Sequence, residues 1–168
     1  VEQLEAARTE KTKLILLNSP SNPTGMIYSR GELEAIGAWA LEHDILILAD
    51  DIYGRLVYNG HEFTAISSLS DALRKQTIVV NGVSKTYAMT GWRVGFAVGE
   101  PEIIAGMAKI ISQTTSNLTA VSQYAAIEAL TGDQSSIETM RQAFEERLNT
   151  IYPLLAEIPG FEVIKPQG

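Results

Sequence analysis

The sequence predicts an α/β fold: a mostly parallel sheet with one antiparallel strand, flanked by helices. Three observations carry that expectation. Four short apolar runs are each bounded by turn residues, as strands buried on both faces are. Segments with apolar residues at helical spacing lie between and after them. The link between the third and fourth runs is too short for a parallel crossover, which takes a dozen or more residues, so the fourth strand is expected antiparallel to the third.

The first strand is KLILLN, Lys13 to Asn18, stopped by the turn-rich SPSNPTG. Ser29 and Glu32 have the S-x-x-E spacing of a capping box, in which each side chain bonds the other residue's backbone N–H. Leu33, Ile36, Ala40 and Leu41 follow at helical spacing, which predicts a helix over residues 30–43. ILILAD, Ile45 to Asp50, is the second strand, and residues 51–76 read as an irregular connection with one short helix. The third strand is Thr77 to Gly82 and the fourth Arg93 to Gly99. Pro101, a good first-turn residue, opens a helix marked by Ile103, Ile104, Met107, Ile110 and Ile111. Val121, Tyr124, Ile127 and Leu130 mark another, closed by Gly132. Ile137, Met140, Phe144, Leu148, Ile151 and Leu155 mark a long third helix, which Pro153 should kink or end early. Phe161 to Ile164 reads as a further strand.

Composition narrows the function classes. A length of 168 residues, 45% of them apolar, suits one domain, or one domain with part of another. The chain opens on Val1 and stops just after a new strand begins, so a piece of a larger protein is expected. A net charge of −7 argues against nucleic acid as partner, because phosphate backbones need a basic footprint. No apolar run is long enough to span a membrane, and no signal-peptide pattern opens the chain. With cysteine absent, disulfides and thiolate zinc sites are excluded. No metal site is expected, and the cytoplasm is the expected compartment.

In open α/β sheets, ligands bind beyond the carboxyl ends of the strands. Those ends here are NSPSNPTG, ADDIY and NGVSK, which gather Asn22, Asp50, Tyr53, Ser84 and Lys85 on one edge. An antiparallel fourth strand returns Arg93 to the same edge. The set contains no Ser-His-Asp arrangement, since His43 and His61 lie elsewhere. GVSKTYAMTG is not a P-loop, because its lysine precedes the second glycine, and no G-x-G-x-x-G follows a strand. The set does match a lysine that forms a Schiff base with pyridoxal phosphate (PLP), with a carboxylate on the pyridinium nitrogen.

SNPTG, ADDIY and SKTYAMTGWRVG, in this order and at these separations, resemble the blocks of class I aminotransferases of PLP fold type I. SQTTSNLTAVSQYAAIEAL is similar to bacterial aspartate aminotransferases within that family. The resemblance covers nearly the whole chain. It implies the second half of a PLP-binding large domain over residues 1–132, a long connecting helix over 133–158, and the truncated beginning of a small domain over 159–168. It also implies roles. Lys85 would anchor the cofactor covalently and act as the catalytic base. Asp50 would pair with the pyridine nitrogen, Tyr53 and Asn22 with the phenolic oxygen, and Arg93 and Ser84 with the phosphate. Arginine's fork suits phosphate oxygens, and a buried lysine near a cation suits a nucleophile. The implied substrates are an amino acid, aspartate first, and a 2-oxo acid, and the implied assembly is a homodimer. Gly82 departs from relatives that carry a phosphate-binding serine, and Leu118 from relatives with proline. The family's upstream phosphate loop, its ring-stacking aromatic and a tyrosine from the second subunit would precede Val1. Its substrate-carboxylate arginine would follow Gly168. Turnover by the isolated 168 residues is therefore not expected.

Each residue also has a plainer reading. An isolated Lys85 would be a solvated strand-end lysine. Asp50 or Asp51 would cap the following turn. Tyr53 would be a rim aromatic, and Asn22-Pro23 a turn, with a cis peptide as its functional version. Asp50 is preferred over Asp51 because it sets the three-residue interval to Tyr53. Trp39 and Trp92 read as packing residues, His43 as a helix C-terminal residue, and Glu138, Glu145 and Glu146 as a solvated helix face. Another reaction on the same cofactor, such as a C–S lyase, and a PLP-binding or structural module without turnover, are the competing functions.

Overall fold

The computed structural model describes residues 1–168. Four strands, β1 (Leu14–Asn18), β2 (Leu46–Asp50), β3 (Thr77–Gly82) and β4 (Gly95–Val98), form one sheet in the order β1-β2-β3-β4. The first three run parallel and β4 is antiparallel to β3, as the short β3–β4 connection requires. The helices are α1 (Glu2–Ala7), α2 (Arg30–Glu42), α3 (Asp71–Gln76), α4 (Pro101–Thr114), α5 (Ala120–Thr131) and α6 (Ser135–Ala156). No helix is long and apolar enough to cross a membrane.

Helix α2 starts where its capping chemistry sets it. Ser29 Oγ accepts from the Glu32 backbone N–H, and the Glu32 carboxylate accepts from the Ser29 N–H at 2.7 Å. The helix then buries Leu33, Ile36, Trp39 and Ala40 against Ile45, Ile47 and Ala49 of the β2 segment and Leu73 of α3. Each large apolar side chain buried this way contributes about 1.5–3 kcal/mol. A smaller cluster of Val83, Val94 and Ala126 sits beneath the β3–β4 connection, with Tyr87 and Met89 packed on it.

Three expectations need correction. Phe161 to Ile164 forms no strand: no neighbouring strand supplies a hydrogen-bonding partner, and the Phe161 N–H instead closes a turn on the Ile158 carbonyl oxygen at 3.0 Å. Helix α6 does not end at Pro153 but continues for three more residues, to Ala156, the proline removing one N–H donor from its last turn. Glu138 and Glu146 are exposed, as expected of a solvated face, but Glu138 and the half-buried Glu145 are not merely solvated. Both pair with Arg141, whose guanidinium also donates to the Val57 carbonyl oxygen at 3.1 Å. Helix α1 has no counterpart in the expected elements. Its Glu5 carboxylate accepts from Trp39 Nε1 at 2.8 Å and lies 3.2 Å from His43 Nε2, so tertiary contacts fix it to the end of α2.

Apolar residues at helical spacing, as on α5, ordinarily face a core. Here Val121 is 67% exposed, Tyr124 76%, Ile127 56% and Leu130 47%, and the residues α5 buries are Ser122 and Ala126. Within these 168 residues, the face that the helical pattern marks for burial has no cover.

Candidate active site

Parallel register brings the ends of β1 to β3 together. Asn18 pairs with Asp50, and Asp50 with Val80. The three loops leaving this edge carry Asn22, Tyr53 and Lys85, the last two half-buried. Asn22 Nδ2 donates to Tyr53 Oη at 3.3 Å, which links the first two loops. Lys85 Nζ lies 5.6 Å from the centre of the Tyr53 ring, within cation–π range, which links the third. Asn22, Tyr53 and Lys85 are thus brought together. The peptide bond between Asn22 and Pro23 is cis, as is that between Ser19 and Pro20.

Asp50 stands three residues before Tyr53, and its Oδ1 accepts from the Ile52 N–H at 3.2 Å, a turn-capping contact. The neighbouring Asp51 differs electrostatically. Burial, together with the Asp50 charge, pushes its carboxyl from 3.8 up to about 6.

Lys85 sits in a tight turn after β3, with the Tyr87 and Met89 N–H groups both directed at the Val83 carbonyl and the Ala88 N–H at that of Lys85. Tyr87 Oη donates to Gln134 Oε1 at 3.0 Å, tying the turn to the start of α6. Beside Lys85 opens a cavity of about 620 Å³, lined also by Tyr53, Ser84 and Thr90 and, from α6, by Met140 and Phe144. A second cavity, of about 300 Å³, lies between Asn22, Pro23, Tyr53 and Gly168. Tyr53 lines both; Asp50 and Arg93 line neither.

Arg93 is not yet in β4, which starts at Gly95. It ends a one-turn helix, Thr90 to Trp92, in a left-handed conformation with φ 55° and ψ 47°. A non-glycine residue holds that backbone at a cost of about 1–2 kcal/mol. Its side chain is exposed and donates to the Thr90 carbonyl oxygen at 2.9 Å, and Thr90 lines the Lys85 cavity. At position 82 the geometry accounts for the glycine: a Cβ there would stand 2.6 Å from the Val94 carbonyl oxygen, so a serine would force β3 and β4 apart.

Two residues that position this edge escaped the sequence reading. Asn18 Oδ1 accepts from the Asn22 N–H at 2.9 Å, while its Nδ2 donates to the Asp50 carbonyl oxygen at 3.2 Å. One amide therefore fixes the Asn22 loop to the end of β2. A polar residue closing an apolar strand was the available signal. The second, Gln167, lies 140 residues from its partner Ile27 and left no local trace.

The edge brings together an amine, a phenol and an amide, with the Asp50 carboxylate at the end of β2 and the Arg93 guanidinium on the Thr90 carbonyl oxygen, both outside the two cavities. Such a set can bind a group with an electrophilic carbon, an anionic oxygen, a basic ring nitrogen and a phosphate.

Comparison with known proteins gives a consistent picture. A family model described as aminotransferase class I and II matches residues 1–168. An asparagine--oxo-acid transaminase of Streptococcus mutans is 76% identical over all of this chain, and an aspartate aminotransferase of Bacillus subtilis is 54% identical over 99% of it. The chain spans 43% and 42% of those two relatives, respectively. Among solved structures, the aspartate aminotransferase of Rhizobium meliloti superposes with a TM-score of 0.96 at 41% identity, over 99% of this chain and 42% of its own. Sequence and fold agree along the whole length, and the chain belongs to the class I and II aminotransferase family.

Proposed function

We propose that this sequence supplies the cofactor-anchoring part of a PLP-dependent aminotransferase, which moves an amino group between an amino acid and a 2-oxo acid. The observation that carries this reading is the junction of Asn22, Tyr53 and Lys85 at the carboxyl edge of the sheet. The donor set fits PLP. Lys85 Nζ is the amine that anchors it. Tyr53 Oη, whose proton is free because Asn22 donates to it, can donate to the phenolic oxygen. Asp50 is the carboxylate for the ring nitrogen, and keeping that nitrogen protonated is its role. Arg93, with Ser84, serves the phosphate.

When bound, the cofactor supplies an electron sink for the bond broken at the substrate Cα. The chain's residues do the rest. With the cofactor bound, Lys85 Nζ would anchor it and would be the base that takes and gives back the substrate Cα proton. Asn22 and Tyr53, joined by their own hydrogen bond, would hold the cofactor's phenolic oxygen.

Aspartate is the proposed amino donor. The 76% identity to an asparagine transaminase supports asparagine as a second reading. We read residues 1–132 as cofactor-binding, 133–158 as a connecting helix and 159–168 as the opening of a smaller unit. The full-length protein is read as a cytoplasmic homodimer. The uncovered face of α5 supports the view that turnover requires segments beyond these residues. The test is amino transfer by the full-length protein, with kcat/KM compared for aspartate and asparagine. Formation of a 2-oxo acid and a new amino acid, lost in Lys85→Ala, is expected. Release of ammonia without amino transfer would refute the reading.

A further inference from the structure

We propose that Gln167 is a positioning residue that clasps the Asn22 loop to the Tyr53 loop and so sets the hydrogen bond between those two side chains. The proposal rests on the reading of Asn22 and Tyr53 as partners of the cofactor's phenolic oxygen.

Gln167 touches both loops. Its side-chain Oε1 accepts from the Ile27 N–H at 2.9 Å, and its own N–H donates to the Gly25 carbonyl oxygen at 2.7 Å. Its carbonyl oxygen accepts from the Tyr58 N–H at 2.8 Å. The Gly168 N–H adds a bond to the Gly25 carbonyl oxygen at 3.0 Å. The Asn22 loop is itself closed, with the Ser21 N–H on Met26 O and the Gly25 N–H on Ser21 O, so a hold on Gly25 and Ile27 fixes Asn22. The Tyr53 loop is closed by the Leu56 N–H on Tyr53 O, so a hold on Tyr58 fixes Tyr53.

The fit of the three segments is tight. Gly25 has a φ of +67°, and a Cβ there would lie 2.5 Å from Pro166 Cβ and 2.7 Å from the Gly168 carbonyl oxygen. A Cβ on Gly168 would lie 2.7 Å from the Leu56 carbonyl oxygen and 2.9 Å from Pro20 Cβ. The Asn22–Tyr53 bond at 3.3 Å is long for its type, so it gains from being held from outside. Donors fixed at an anionic oxygen favour its anionic form; donors that drift favour it less. Loosening the clasp therefore raises the pH at which the cofactor bound to Lys85 changes colour.

The experiment uses the full-length protein and four variants: Gln167→Ala, Gln167→Met, Gln167→Glu and Gly25→Ala. Gln167→Met keeps the side-chain length without the acceptor, and Gln167→Glu keeps an acceptor oxygen. Gly25→Ala attacks the clasp from the other side. Amide hydrogen exchange is followed at Ile27 and Tyr58 without cofactor, and visible absorbance is titrated against pH with pyridoxal phosphate bound. In the Ala and Met variants, exchange at Ile27 is expected to rise roughly tenfold, the loss of one net hydrogen bond. The titration midpoint should rise by about half to one pH unit. Gln167→Glu is expected to stay near wild type in both, and Gly25→Ala to follow the Ala variant. Faster exchange with an unchanged midpoint would make the clasp merely structural and overturn the proposal, as would wild-type behaviour in both readouts. If wild type itself acquires no absorbance, the cofactor reading fails and the positioning role with it, while exchange at Ile27 still reports whether the clasp forms.

Discussion

Replacing Asp51 with asparagine should stabilise the protein, and the effect should depend on pH in a particular direction. Burial and the adjacent Asp50 charge raise the Asp51 carboxyl from 3.8 to about 6. The folded state therefore holds the Asp51 proton more tightly than the unfolded chain. Stability is unaffected by this group below the unfolded value. It falls as pH rises from about 4 to about 6, and the full cost is present above that. A displacement of about two pH units corresponds to about 3 kcal/mol. Asp51 keeps partial contact with solvent, which screens the charge, so about 1–2 kcal/mol is the reasonable expectation. Asparagine removes the charge while keeping the shape. Urea unfolding at pH 7.5 should show the midpoint of Asp51→Asn raised by roughly 0.5–1 M, given a slope of about 2 kcal/mol per molar. The gain should vanish near pH 4. A neutral or destabilising substitution at pH 7.5, or a gain independent of pH, would refute the reasoning.

Ser29→Ala removes the reciprocal cap of α2 and should cost about 1 kcal/mol, read as a drop of roughly 2–4 °C in melting temperature. Arg93→Gly relieves the left-handed backbone, so stability should hold or rise by up to about 1 kcal/mol, while affinity of the full-length protein for pyridoxal phosphate falls; calorimetry and cofactor titration separate the two. Hydrogen bonds from Arg141 and Gln142 hold the Glu138 carboxyl down to about 2, so the Glu138–Arg141 pair contributes fully above the ordinary glutamate value, and that contribution is lost as pH falls through about 2, as acid titration of stability would show. Arg141→Met should remove the hydrogen bond from α6 to the Val57 carbonyl oxygen and accelerate amide exchange at Tyr58 and Asn59.

Much of the fold was legible because its signals are local. The apolar runs of β1 to β3 end in turn chemistry, Ser29 and Glu32 announce α2, and a short connection forces β4 to run backwards. What failed depends on partners distant in sequence. Six residues of α1 are too few for a periodic pattern, and Glu5 finds Trp39 and His43 only in three dimensions. Phe161 to Ile164 has strand composition but no neighbouring strand. The stripe of α5 was read correctly as apolar, yet burial needs a partner surface that these residues do not contain. At the candidate site, strand-end logic brought Asn22, Tyr53 and Lys85 together in advance of any geometry. The left-handed backbone of Arg93, the bridging amide of Asn18 and the clasp of Gln167 were invisible, since each depends on a conformation or on a hydrogen bond to a distant segment.

The central claim is that Lys85 carries the cofactor. It is tested by incubating the full-length protein with pyridoxal phosphate, reducing with borohydride, digesting and sequencing the peptides by mass spectrometry. The expected result is a phosphopyridoxyl group on Lys85, absent from Lys85→Ala. Stoichiometric labelling of another lysine, or of none, would contradict it.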